Sequence, residues 1–183
     1  MAGHGLAAAE TYFWRMANDL PLDMTLSRAE RLHQLGHPLT ALLAGETNGW
    51  ANLANAAAAI ASASSWHWVG FYLVDVQADN LVLGPFQGPI ACTRLHRGKG
   101  VCASAWEQGC TVLVEDVSAF EGHVACSSLS QSEVVLPIRN GSGEVVAVLD
   151  IDSAHLSDFS PLEVKSLEAL TQLISERWDL WTW

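Results

Sequence analysis

The sequence predicts an α+β fold, with a central antiparallel sheet, N- and C-terminal helices on one of its faces and a loop-roofed pocket on the other. Three observations carry this prediction. Apolar residues recur at three and four before residue 62 and again after residue 160, which is the period of a helix packed along one face. They alternate with period two from Trp68 and again between Glu133 and Asp152. Between these runs lie two long segments, 84–100 and 118–132, that follow neither period, and loops of such length in a compact domain are usually functional.

Phe13, Met16, Ala17 and Leu20 stand at helical spacing and Pro21 stops the run, so a docking helix is expected over 11–20. Ser27 and Glu30 have the spacing of a capping box, and the helix they start should end at Gly36 before Pro38. Leu32, Leu35, Leu39 and Leu42 nearly continue its stripe, which would make the proline a kink rather than an end. From Thr47 to about Ser62, Trp50, Leu53, Ala54, Ala57, Ile60 and Ala61 repeat among alanines, the pattern of a close-packing amphipathic helix.

Trp68, Gly70, Tyr72 and Val74 then share one face of a strand whose other face carries Val69, Phe71 and Leu73, so the strand is central. Asp79 and Asn80 turn the chain into a short strand, Leu81 to Leu83; Gly84 to Gly100 reads mostly as loop. Val101 to Gln108 can form a short helix, Thr111 to Glu115 a strand, and Ser118 to Ser132 a second long loop. Glu133 to Arg139 and Glu144 to Asp152 form a hairpin around Asn140-Gly141-Ser142-Gly143, a turn suited to positive φ. Ser160, Pro161 and Glu163 supply the cap, first-turn proline and capping-box acid of a last helix, whose apolar side runs through Leu167, Leu170, Ile174, Trp178 and Trp181.

Composition limits the function. A chain of 183 residues, half of them hydrophobic, can bury one good core. Twenty acidic against nine basic side chains give a net charge of -11, which repels phosphate backbones and anionic headgroups, so neither nucleic acid nor membrane is an expected partner. No run approaches the ~18 apolar residues of a membrane span, and the N-terminus lacks a basic region followed by an apolar stretch; a cytoplasmic location is the expectation. Four cysteines, at 92, 102, 110 and 126, are too sparse for a disulfide scaffold, so their chemistry would be catalytic, redox or metal binding.

Asp150 and Asp152 stand two apart at the end of a strand, so both carboxylates leave the same face, and Glu133 begins the neighbouring strand and could enter the same pocket. Three carboxylates around one cavity would bind an ammonium or retain a proton between them. Cys126 lies in the Ser-rich run from Gly122 to Glu133, which reads as a reactive loop. A thiolate in so acidic a protein needs a cation or aligned donors. His123 and backbone amides are available to Cys126, and Arg94, His96, Arg97 and Lys99 lie between Cys92 and Cys102. Cys110 reads as a small buried hydrophobe. Cys92, Cys102, His123 and Cys126 are ligand types that suit zinc, but their spacing matches no structural-zinc signature. Trp68 and Tyr72 could wall an apolar slot or simply fill the core.

Leu43-Ala44-Gly45-Glu46-Thr47, Trp68-Val69-Gly70-Phe71-Tyr72-Leu73, Leu83-Gly84-Pro85-Phe86-Gln87-Gly88, Ala91-Cys92, Gly98-Lys99-Gly100-Val101-Cys102, Glu115-Asp116-Val117, Gly122-His123-Val124-Ala125-Cys126, Ser132-Glu133 and Leu149-Asp150-Ile151-Asp152-Ser153 occur together in this order. The combination strongly resembles the free methionine-(R)-sulfoxide reductases, single-domain enzymes of the GAF fold. The likeness covers about residues 39 to 178, which divides the chain into an N-terminal helical extension, 1–38, and a GAF-like catalytic domain, 39–183.

The resemblance implies reduction of free methionine (R)-sulfoxide, with thioredoxin or a similar dithiol protein as reductant and with no cofactor or metal. Carried over by position, Cys126 is the attacking thiol and Cys92 the resolving one, while Cys102 matches the third cysteine, with its duty open. Glu133, Asp150 and Asp152 match the substrate-binding acids, and Trp68 and Tyr72 the hydrophobic wall. Glu133, with Asp150 and Asp152 beside it, is the candidate proton donor, and His123 ranks below the carboxylates. Two positions depart from the family pattern: Ser127 stands where Asp is usual and Ala103 where Gly is usual. The rival is a GAF module that senses a small ligand or redox state without turnover. Trp178, Trp181 and Trp183 could supply the apolar contact of a homodimer.

Overall fold

A computed structural model describes residues 22–122 and 127–183. The helix expected over 11–20, together with His123 and Cys126, lies outside the described residues. The predicted capping box starts α1 (Arg28–Gln34): the Ser27 hydroxyl accepts from Glu30 N, and the Glu30 carboxylate accepts from Ser27 N. The chain bends at Leu35 and resumes as α2 (Gly36–Ala44), so Pro38 sits in a first turn, where a missing N–H costs nothing. Asn48 caps α3 (Gly49–Ala63) by accepting from Ala51 N. The buried stripe of α3 holds Leu53, Ala56, Ala57, Ile60 and Ala63. Trp50 and Ala54, expected on that stripe, are exposed. For Trp50 the reason is a contact distant in the chain: it packs edge-on against Trp183 near the C-terminus, ring centroids 5.8 Å apart.

The sheet has six strands in the order β3-β2-β1-β6-β5-β4, every neighbouring pair antiparallel. They are β1 (Trp68–Asp75), β2 (Asn80–Gln87), β3 (Arg94–His96), β4 (Val112–Val114), β5 (Ser132–Arg139) and β6 (Val145–Ser153). β2 runs well beyond the expected Leu83. The register slips between Gly70 and Tyr72, and this bulge absorbs Gly84 and Pro85 inside a strand that their composition argues against. The hairpin of β5 and β6 is as predicted, with Gly143 at φ 83° in its turn. Pro137 is tolerated in β5 because β4 pairs only as far as Val135.

α5 (Pro161–Ser175) carries the predicted Ser160 and Glu163 capping box and ends at Ser175, earlier than the apolar stripe suggested. Trp178 and Trp181 remain buried through a short 3-10 turn, Trp178–Leu180. The helices α1, α2, α3 and α5 cover one sheet face: Leu32, Leu39, Leu53, Ile60, Leu167, Leu170 and Ile174 meet Val69, Phe71, Leu136, Leu149 and Ile151 in the larger core. A smaller core on the opposite face holds Trp68, Tyr72, Val135 and Val148 under Val101, Cys102, Ala105 and Trp106. Those last four belong to α4 (Gly100–Gln108), so the roof is a helix flanked by loops rather than loops alone. Among the described residues, no helix is long and apolar enough to cross a membrane.

Candidate active site

Strand register decides which side chains share the roofed face. Trp68 on β1 lies opposite Asp152 on β6, and Asp152 lies opposite Glu133 on β5. One rung further along, Gly70 faces Asp150 and Asp150 faces Val135; the next rung is Tyr72, Val148 and Pro137. The three acids and two aromatics singled out in the sequence therefore occupy consecutive rungs of one face. α4 lowers Cys102 onto them, with Sγ 4.0 Å from Glu133 Oε1. The helix starts at Gly100, whose φ of 83° turns the chain into it, and Gly100 N donates to Gly122 O at 3.0 Å.

The cluster is largely buried and acidic. Glu133, Asp150 and Cys102 are all buried. Burial holds the Glu133 carboxyl well above its usual 4.5, and the charges of Asp150 and Asp152 push the same way. Burial, then the Asp152 charge, holds Asp150 well above 3.8. The Cys102 thiol is pushed well above its usual 9.0 by burial first and by Asp150 and Glu133 next, so it remains a thiol at neutral pH. Asp150 Oδ1 is buried with no hydrogen-bond donor on it, an acceptor that a bound cationic group would satisfy.

Aromatic rings form the neighbouring wall. Trp68 stacks on Tyr72, centroids 5.9 Å apart, and on Phe86 of β2 at 5.4 Å. Phe86 was not expected in the site, because its strand read as loop after Gly84 and Pro85. The polar ends of the wall hold the chain between β2 and β3: Trp68 Nε1 donates to Pro89 O at 3.1 Å and Tyr72 Oη to Cys92 O at 3.0 Å. Cys92 is thereby fixed, half-buried, at the edge of the same core.

Gly70 is what lets the Trp68 ring lie flat, since a Cβ there would come within 2.4 Å of both that ring and Phe86 Cβ. Gly70→Ala is expected to displace the wall and cost about 1–3 kcal/mol by overpacking, read as a lower urea midpoint and a weaker near-ultraviolet circular dichroism signal. A wild-type midpoint would show that the wall can shift freely.

Cys126 lies outside the described residues, but both described ends of its segment are tied down. Gly122 O accepts from α4, and Ser127 Oγ lies 3.2 Å from His67 Nε2. His67 in turn donates its N–H to Asp152 O at 2.9 Å. Two of the basic side chains expected to serve the cysteines, Arg94 and Arg97, are committed elsewhere. Arg94 donates to Asp75 and Asn80, and Arg97 pairs with Asp79 while its guanidinium lies 4.0 Å over the Trp106 ring. His96 and Lys99 are exposed. Cys110, expected to be buried, is exposed, because Gly109 caps α4 in the left-handed conformation and turns the next residue outward. As to metal ligands, the described side chains gather Cys102 with Glu133 and Asp150, donor atoms within 4.8 Å of one another, and Cys92 is not part of that set.

Known proteins share this architecture. The family model of the GAF domain matches residues 50–178. GAF domain-containing protein A of Dictyostelium discoideum is 48% identical over 159 residues, spanning 87% of this chain and 99% of its own length. Free methionine-R-sulfoxide reductase of Escherichia coli is 40% identical over 148 residues, 79% of this chain and 87% of that protein. The solved structure of free methionine-R-sulfoxide reductase from Neisseria meningitidis, in complex with its substrate, superposes with a TM-score of 0.81 at 45% identity, covering 85% of this chain and 92% of that one.

Proposed function

Because this chain belongs to the free methionine-R-sulfoxide reductases, enzymes built on the GAF domain, we propose that it reduces the R epimer of free methionine sulfoxide to methionine at the cluster of Glu133, Asp150, Asp152 and Cys102. The observation that carries this is the buried Glu133 carboxyl, kept protonated by burial and by two neighbouring aspartates. Sulfoxide sulfur accepts a nucleophile only as its oxygen is protonated, and burial with the charges of Asp150 and Asp152 makes Glu133 an acid that keeps its proton to higher pH than an ordinary glutamate.

In this reading the Cys126 thiolate attacks the sulfoxide sulfur while Glu133 protonates the oxygen. Attack forms a transient bond between the two sulfurs; the protonated oxygen then passes to the Cys126 sulfur as the substrate S–O bond and that S–S bond break, so methionine leaves and Cys126 becomes a sulfenic acid. A second thiol condenses with it, forming a disulfide and releasing water. An external dithiol of the thioredoxin kind then reduces the disulfide and becomes oxidised itself. Cys92, held by Tyr72 Oη, is the resolving thiol. Cys102, buried among acids and so kept protonated, suits a later step better than the first attack.

Specificity for the free amino acid has a physical basis in the same residues. The substrate ammonium supplies the donor that Asp150 Oδ1 lacks, Asp152 adds a second charge, and the thioether chain lies along Trp68, Tyr72 and Phe86. Reduced protein given racemic free methionine sulfoxide and a dithiol should consume about half and stop, since one epimer in two fits. Cys126→Ser should consume none. If the wild type leaves the R epimer untouched, the reading fails. A disulfide that forms after substrate but excludes Cys126 would reassign the attacking role.

A further inference from the structure

We propose that the reduced protein binds one thiophilic divalent cation, of which zinc is the prototype, through Cys102 Sγ, a Glu133 oxygen and an Asp150 oxygen, and that the ion blocks the site. The three donor atoms come from α4, β5 and β6 and lie within 4.8 Å of one another. Tetrahedral zinc with a sulfur at ~2.3 Å and an oxygen at ~2.1 Å separates the two donors by about 3.6 Å. The Cys102 to Glu133 separation is 4.0 Å, so a side-chain adjustment of a few tenths of an ångström brings this pair into range.

Two features distinguish this set from an ordinary acidic surface. It is buried and mixes a thiol with carboxylates, the donor set of a soft site rather than of magnesium or calcium. It also holds a buried oxygen, Asp150 Oδ1, with no donor at ordinary hydrogen-bond geometry, on a residue only 7% exposed whose carboxyl otherwise interacts with Cys102 and Glu133 of the same cluster and with the Ile151 backbone. A cation answers that orphaned acceptor and relieves the repulsion among the carboxylates at once. Binding displaces the protons of the thiol and carboxyls into solution, so no oxidant or co-reactant is needed. Three protein ligands leave a fourth position open. The ligand set differs from the one the cysteine and histidine types suggested, because it is register and helix docking, not spacing along the chain, that bring these donors together.

That the ion would exclude substrate rests on placing the substrate ammonium at Asp150; the metal site itself does not. The test therefore has two separate arms. In the first, reduced full-length protein is titrated with cadmium, whose bond to a thiolate is seen as an ultraviolet charge-transfer band, and with zinc against a chromophoric chelator. One equivalent should bind, and Asp150→Asn and Cys102→Ser should each weaken it by at least about 100-fold, while Cys110→Ser leaves it unchanged. Far-ultraviolet circular dichroism verifies that each variant is folded. No saturable binding by the wild type, or binding that Asp150→Asn leaves intact, overturns the proposal. In the second arm, free methionine (R)-sulfoxide should displace cadmium from Cys126→Ser, which consumes no substrate and so keeps its remaining thiols reduced; failure there, with the first arm intact, counts against the ammonium placement alone.

Discussion

Glu133→Gln is expected to lower kcat by about 10²–10⁴-fold, the usual share of a positioned general acid. Glutamine keeps the shape and can still donate a hydrogen bond, but it has no proton to give to a sulfoxide oxygen. The effect should fall on kcat more than on KM, because the wall of Trp68, Tyr72 and Phe86 and the Asp150 and Asp152 carboxylates are untouched. Wild-type activity should fall as pH rises through the raised pKa of Glu133, when the acid loses its proton. The variant should lack that alkaline limb. Methionine formation from the pure R epimer across a pH series measures both, and a variant with wild-type kcat would remove Glu133 from the proton step.

Asp150→Asn is expected to weaken the enzyme and stabilise the fold together. Removing the partner of a buried ammonium costs about 2–5 kcal/mol in kcat/KM, roughly 30-fold or more. The stability change has the opposite sign. The folded pKa of Asp150 is raised above its usual 3.8, so the favourable contribution of this carboxyl is complete below that value and is lost as pH rises through the folded pKa. Asparagine has no charge to bury, so the melting temperature of the variant should exceed that of the wild type by a margin that grows from pH 3.8 up to the raised pKa and is then constant. Each kcal/mol relieved is worth about 2–4 °C in a chain of this length. Melts recorded from acid to neutral pH decide it; a variant less stable than the wild type at neutral pH would mean that the Asp150 charge is paid for by bonds to the protein.

The local signals in the sequence were strong where chain geometry is local. Both capping boxes, the Asn140 to Gly143 turn and the two apolar faces of β1 lie where residue type and period put them, because each depends on atoms a few residues apart. The signals failed where a neighbour overrides them. Gly84 and Pro85 read as loop, yet β1 pairs across them with a bulge, and so Phe86 reaches the wall unannounced. Trp50 fits its helical stripe but turns to the C-terminal tryptophans, which lie more than a hundred residues away in the chain. Cys110 has the apolar look of a core thiol and is exposed because a left-handed glycine precedes it.

The candidate site divides in the same way. That Asp150 and Asp152 share a face follows from their spacing, since a strand alternates. That Glu133 and Trp68 join Asp152 on one rung follows only from the pairing of β5, β6 and β1, and a one-residue slip would have sent the acids into the helix-covered core. The sequence by itself determined the central strands, the caps and the acidic pair, while β3 and the second half of β2 lie in the segment that read as loop. Only the tertiary structure decided that Cys102 meets Glu133 at 4.0 Å, that Cys92 is held by Tyr72, and that the arginines are occupied elsewhere. Those contacts join residues far apart in the chain, and their pKa consequences arise from burial, a property that no stretch of sequence has until the chain closes over it.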